Sequence, residues 1–179
     1  NGSGGDTAGW RLRCGTARVG DLPQDAILQP MLVPPFHGVD GHTLHQHRKV
    51  QVVATGKANA YRGIPDVSVW QRASQAAYFH YTSNETIHGV EFAGVPDAGD
   101  VPLVADFSSN FLSRPLDVSR FGMIYAGAQK NLGPAGITVA VIRRDLLGRH
   151  GRDLPPIFEW QNQVKNDSMF NTPPTFPWY

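Results

Sequence analysis

Val101-Pro102-Leu103-Val104-Ala105-Asp106-Phe107-Ser108-Ser109 and Met123-Ile124-Tyr125-Ala126-Gly127-Ala128-Gln129-Lys130-Asn131-Leu132-Gly133-Pro134-Ala135-Gly136 are two apolar runs of strand length, each ending in polar residues and turn formers. Near-continuous apolar runs, unlike a strict alternation, suit a sheet covered on both faces, as parallel α/β sheets are. Around these two runs, Val50–Ala54, Ala76–Tyr81 and Thr138–Arg143 have the same character, so five strands are predicted: these three, Val101–Asp106 and Met123–Ala126. Ser119-Arg120-Phe121-Gly122 and Asp145-Leu146-Leu147-Gly148 read as short helical turns that stop at glycine. The fold class that follows is α/β, with a mostly parallel central sheet and flanking helices.

The rest of the chain sets limits. Its 179 residues allow one domain or part of a larger one. With 16 Lys+Arg against 15 Asp+Glu the formal charge is +1, which offers no net attraction to nucleic acid or an anionic membrane, so neither is expected as a partner. No apolar run approaches the ~20 residues of a membrane-spanning helix. The single cysteine, Cys14, excludes an internal disulfide and suits a reducing, cytoplasmic compartment. The chain opens on Asn1-Gly2-Ser3-Gly4-Gly5-Asp6, with neither an initiator Met nor a signal sequence, and ends on Phe176-Pro177-Trp178-Tyr179. Both ends read as cut, and a fragment is expected. Residues 1–48 have no sustained apolar period; only Asp25–Val33 hints at order, and Pro30 interrupts it. His37, His42, His45 and His47 lie close together, but no Cys or paired carboxylate completes a metal-ligand spacing, so no metal site is expected.

Asp106 and Lys130 carry the chemistry. Asp106 ends one strand, at the edge where open α/β sheets bind ligands. A strand-end Asp also caps turns, and a loop lysine is also a surface cation. Together they say more, because Lys130 follows the next strand and sits among Gly127, Ala128, Gly133 and Gly136, which admit a flat ligand close to the backbone. A lysine to form a Schiff base and a carboxylate to hold a pyridine nitrogen protonated suit pyridoxal phosphate chemistry, in which the charged ring is the electron sink.

The stretch from Ala126 to Gly136 closely resembles the cofactor-lysine segment of phosphoserine aminotransferases. The resemblance continues through His80-Tyr81-Thr82-Ser83-Asn84-Glu85-Thr86-Ile87-His88-Gly89, Ala105–Ser109, Ser113-Arg114-Pro115-Leu116-Asp117-Val118 and Ser168-Met169-Phe170-Asn171-Thr172-Pro173-Pro174-Thr175. It covers residues 49–179 and implies part of the large domain of a fold-type I pyridoxal phosphate transferase. The activity it implies is amino transfer between glutamate and 3-phosphohydroxypyruvate in serine biosynthesis, with a further role in pyridoxine biosynthesis in many bacteria. By resemblance, Lys130 is the Schiff-base lysine and Asp106 the partner of the pyridine nitrogen. Thr86 bonds the ring hydroxyl, and Gln129 the cofactor phosphate. Asn171 and Thr172 reach the phosphate of the neighbouring subunit's cofactor, which implies a homodimer acting on small-molecule substrates.

Residues 1–48 depart from the family pattern and read as a divergent or frame-shifted part of the cofactor domain. Gly4-Gly5-Asp6-Thr7-Ala8 stands where the resemblance implies a phosphate-binding loop, and no residue matches the aromatic that stacks on the ring. The family's C-terminal small domain is expected to be absent, leaving a piece with weak activity or none alone. Another fold-type I enzyme, or a non-catalytic fragment that only binds cofactor or a partner chain, are the alternatives. Arg114 and Arg143-Arg144 are candidates for a substrate phosphate or for a solvated surface.

Overall fold

The structure is a computed structural model that describes residues 26–29, 51–73, 76–149 and 154–170. Its centre is a five-stranded sheet in the order β1-β7-β6-β5-β2. These strands are β1 (Ala26–Gln29), β2 (Phe79–Thr82), β5 (Leu103–Asp106), β6 (Met123–Gly127) and β7 (Thr138–Ile142). A two-stranded ribbon, β3 (Asn84–Glu85) with β4 (Val90–Glu91), follows β2 directly. Strands β2, β5 and β6 pair in parallel, whereas β7 is antiparallel to both β6 and β1. Four strands therefore point the same way and β7 alone is reversed, so the expected mostly parallel sheet is present.

Alternation along the strands decides which face is core. Phe79 and Tyr81 of β2, Leu103 and Ala105 of β5, and Ile124 and Ala126 of β6 are buried on one face, together with Phe107, Phe111, Val118 and Phe121. The phenylalanines meet edge to face: Phe107 lies 6.2 Å from Phe111 and 5.7 Å from Phe121, at interplanar angles of 63° and 77°. That geometry sets positive ring edges against negative faces. His80, Thr82, Asp106 and Tyr125 stand on the other face. Near β7 this second face is covered by Leu146, Leu147 and Trp160, which pack on Ala140 and Ile142. Trp160 opens the short helix α1 (Trp160–Lys165), which with 3-10 turns such as Val118–Arg120 and Arg144–Leu146 makes up the helical content of the described residues.

Three boundaries differ from expectation, each for a physical reason. β5 starts at Leu103 because Pro102 has no N–H for the ladder; its carbonyl still accepts from Phe79 N at 2.9 Å. The strand expected within Ala76–Tyr81 is shifted to Phe79–Thr82. The strand expected at Val50–Ala54 is not formed over its described residues. Val52 is exposed there, Val53 alone packs on the core, and the backbone touches Gln71 through one bond of 3.0 Å to Val53 O. Within the otherwise unpatterned first 48 residues, Ala26–Gln29 forms β1, an edge partner of β7.

Ile124 is 1% exposed at the centre of this core. Ile124→Ala is expected to lower the unfolding free energy by about 3 kcal/mol through lost transfer energy and a residual cavity, read as a shift in the urea midpoint. Val52→Ala, at a site 62% exposed, is expected to change it by less than about 0.5 kcal/mol.

Candidate active site

The parallel register sets Thr82, Asp106 and Tyr125 level with one another across β2, β5 and β6. Just beyond, the ladder continues as Ser83 N donates to Asp106 O and Phe107 N to Tyr125 O, each at 2.9 Å. Asp106 is thus pinned by both neighbouring strands at the carboxyl edge. Its Oδ1 accepts from Ser108 N at 2.8 Å, closing the exit turn, and Ser108 Oγ in turn accepts from Gly127 N at 3.0 Å. The turn after β5 is thereby tied to the end of β6.

Lys130 lies in the connection between β6 and β7. Ala128 O accepts from both Leu132 N (3.0 Å) and Gly133 N (2.8 Å), so the chain wraps tightly around the lysine position. Asn131 Nδ2 donates to Phe111 O at 2.6 Å and fastens this turn to the one after β5. The consequence is a three-way cluster: Lys130 Nζ donates to Thr86 Oγ1 at 2.7 Å and to Ser109 Oγ at 3.2 Å, and the two hydroxyls are 2.6 Å apart. Thr86 sits in the β3–β4 turn, which Glu85 closes by accepting from His88 N at 2.7 Å and Ile87 N at 3.2 Å. These backbone donors hold the Glu85 carboxyl below its ordinary pKa.

Beneath the cluster is a satisfied polar network. Buried Ser83 donates through Oγ to Asn110 Oδ1 at 2.5 Å, and Asn110 Nδ2 donates to Glu91 Oε1 at 2.9 Å. Glu91 also accepts from Asn84 Nδ2 at 3.0 Å and pairs with Arg114. Arg114 is therefore engaged by Glu91 instead of facing a free phosphate. Arg143 is likewise held, by Asp145 at 2.5 and 3.1 Å. A cleft at the opposite edge of the sheet is lined by Arg120, Arg143 and Arg149. Its cations already have partners, since Arg149 pairs with Asp145 and Arg120 donates to Val95 O at 3.1 Å.

Of the site residues expected from sequence, Thr86 and Lys130 are in direct contact, and Asp106 occupies the neighbouring strand end. Gln129 is exposed beside Lys130, and its side chain folds back over Gly127: a Cβ there would stand 2.8 Å from Gln129 Oε1. Asn171, Thr172 and Gly4–Ala8 lie outside the described residues, as does the histidine cluster of residues 37–47. Three residues were missed as site members. Ser109 directly follows the Asp106-Phe107-Ser108 turn. His80 and Tyr125 share the face of Asp106, which only strand pairing reveals. His80 Nε2 lies 2.9 Å from the Tyr125 hydroxyl, with the rings stacked at 6.0 Å. Burial is the main cause that lowers the pKa of His80 and raises that of Tyr125; the Asp106 charge opposes the first shift and adds to the second.

The model of the family described as aminotransferase class-V matches residues 42–179. Phosphoserine aminotransferase of Stenotrophomonas maltophilia (strain K279a) is 58% identical over 130 residues, 73% of this chain and 36% of the relative. That of Hahella chejuensis (strain KCTC 2396) is 57% identical over 134 residues, 75% of this chain and 37% of the relative. Among solved structures, phosphoserine aminotransferase from Bacillus circulans subsp. alkalophilus superposes with a TM-score of 0.65 at 48% identity, over 69% of this chain and 34% of that one. The PLP-bound enzyme from Trichomonas vaginalis superposes with a TM-score of 0.58 at 47% identity, over 63% and 33%. The chain thus spans about a third of the length of the curated relatives it matches. Since the family model runs through the sheet, the Asp106 turn and the Lys130 turn, the chain belongs to the class-V aminotransferase family.

Proposed function

We propose that residues 49–179 are the cofactor-binding portion of a phosphoserine transaminase that uses pyridoxal phosphate. One observation carries this reading: Lys130 Nζ lies 2.7 Å from Thr86 Oγ1. In pyridoxal phosphate the aldehyde and the ring hydroxyl occupy neighbouring carbons, and the ring nitrogen lies across the ring. A lysine that bonds the aldehyde and a donor that serves the hydroxyl must therefore be adjacent, while the carboxylate for the nitrogen stands apart. Lys130 and Thr86 are adjacent as required, Asp106 ends the central strand of the same edge, and the donor set fits the group. When bound, the cofactor would supply an electron-accepting ring and an aldehyde carbon to carry the amino group that moves from glutamate to 3-phosphohydroxypyruvate, leaving 2-oxoglutarate and O-phosphoserine.

The chain's own residues then have separate tasks. Lys130 Nζ would hold the aldehyde carbon, with Thr86 and Ser109 orienting that amine from one side and Thr86 also serving the ring hydroxyl. Asp106 would serve the ring nitrogen. Gln129 donates to the phosphate through its amide without adding charge. By the family resemblance Asn171 and Thr172 would serve the phosphate of a second subunit's cofactor, so the proposed working unit is a homodimer. Relatives named phosphoserine aminotransferase support this substrate class and serine biosynthesis as its setting; a cytoplasmic location is an extension of the reading. Among the described residues no helix is long and apolar enough to cross a membrane.

Borohydride reduction of the chain incubated with pyridoxal phosphate, followed by peptide mass mapping, is expected to label Lys130 selectively and to lose that label in Lys130→Ala. Labels scattered over the chain's four lysines would sink the reading. Removing one hydrogen bond to the ring hydroxyl, in Thr86→Val, is expected to weaken cofactor binding about tenfold in a spectrophotometric titration. For the substrate class, O-phosphoserine added to the cofactor-loaded chain is expected to convert the cofactor to its amine form, whereas serine leaves its absorbance unchanged. Equal conversion by both would point to another fold-type I enzyme.

A further inference from the structure

His80 and Tyr125 have no part in the functions assigned above, yet they lie on the face of the sheet that carries Asp106. Tyr125 is register-paired with Asp106, and His80 reaches the same hydroxyl from β2, on the far side of β5. Two strands thus converge on the side chain that terminates the strand between them.

We infer that His80 and Tyr125 form a positioning pair for Asp106, in which His80 Nε2–H donates to the Tyr125 hydroxyl and Tyr125 O–H donates to the Asp106 carboxylate. A proton count gives the direction. The Tyr125 hydroxyl has one proton and two polar neighbours, the imidazole at 2.9 Å and the carboxylate of Asp106, its register partner on the same face. A carboxylate that is to hold a pyridine nitrogen protonated has no proton to give, so the tyrosine proton points to Asp106 and the imidazole must be the donor to the tyrosine oxygen. Burial keeps both groups in the forms this requires, a neutral imidazole and a protonated phenol.

The pair gives Asp106 something its own turn does not. Ser108 N fixes Oδ1 within the local turn. A second donor arriving from β6 and braced from β2 sets the plane of the carboxylate against the sheet itself. Such support from outside its own turn lets a half-buried carboxylate present one oxygen to a ligand at a fixed angle. The inference rests on the reading of Asp106 as the partner of the ring nitrogen, and it concerns positioning: neither His80 nor Tyr125 is assigned a contact with the ring.

The test uses the full chain with 15N-labelled histidine, first without cofactor and then loaded with pyridoxal phosphate carrying 15N in the ring. Without cofactor, the His80 Nε2 resonance is expected at the position of a protonated ring nitrogen and to move in Tyr125→Phe. An unprotonated Nε2, or no movement, overturns the pair. In the loaded chain, Tyr125→Phe is expected to shift the cofactor's ring-nitrogen resonance toward its unprotonated position while borohydride still labels Lys130. A resonance that stays in place overturns the positioning role. Should Tyr125→Phe fail to fold, His80→Leu is expected to shift the resonance in the same sense, and His80→Gln, which keeps an N–H donor, to restore most of it; equal effects of Leu and Gln overturn the inference. If the unaltered chain shows no label at Lys130, or Asp106→Asn leaves the ring nitrogen unmoved, the reading of the site fails, and the cofactor-free His80 signal still decides whether the pair exists.

Discussion

Hydrogen bonding of β5 to parallel neighbours on both sides is the constraint from which the site follows. Parallel pairing leaves the carboxyl ends of β2, β5 and β6 at one edge, and the register sets Thr82, Asp106 and Tyr125 at one level. The three connections that leave this edge carry Thr86, Ser109 and Lys130. Each must turn within a few residues, and each does so with a local acceptor for backbone N–H groups: the Glu85 carboxylate for the first turn, the Asp106 carboxylate for the second, Ala128 O for the third. A slip of one residue in β5 would carry Asp106 to the aromatic core and bring an alanine or phenylalanine to the site face. Burial of Leu103 and Ala105 against Phe111 and Ile124 thereby fixes the position of a polar group that takes no part in the core.

The polar groups next to the core are costly unless paired, and here the pairing has a spatial consequence. Ser83 and Asn110 are almost fully buried, at 3% and 8% exposure. Their mutual bond joins the segment leading to Thr86 with the residue after Ser109. Glu91 and Arg114 complete the network from the β4 side. The two hydroxyls that receive Lys130 are thus set by a layer of side chains beneath them. Arg114 shows why a cation read from sequence alone is ambiguous: its charge balances Glu91 within that layer.

Asp106 and Lys130 were readable before the structure because each is bounded by an apolar run on one side and turn formers on the other, and local pattern suffices for such residues. β6 and β7 were placed within a residue or two for the same reason. Val50–Ala54 failed because an apolar run says that side chains seek cover without saying how many find it. Among the described residues of that run only Val53 packs on the core, and none joins a ladder. β1 went unassigned because a four-residue edge strand followed by Pro30 carries almost no periodic signal. The reversal of β7 was equally hidden, since strand direction is a property of pairing and leaves no mark on the composition of the strand. His80 and Tyr125 belong to the same class: they stand far apart in sequence and meet across β5 only once the register is known.

The reversal of β7 also explains how a lysine can be held on so short a connection. A parallel successor to β6 would require a crossover to the far edge of the sheet, usually through a helix, and would draw the chain away from the carboxyl edge. An antiparallel successor lets residues 128–137 turn back where they are, with Ala128 N bonded to Ile137 O at 2.9 Å across the mouth of the connection. Gly136, at φ 91°, adopts the left-handed backbone that this return requires and that a residue with a Cβ would resist. Lys130 is therefore carried on a loop closed at its base and fastened at its side by Asn131. That leaves few backbone conformations to place its amine at Thr86 and Ser109, so the orientation of the reactive nitrogen is built into the hairpin before any ligand arrives.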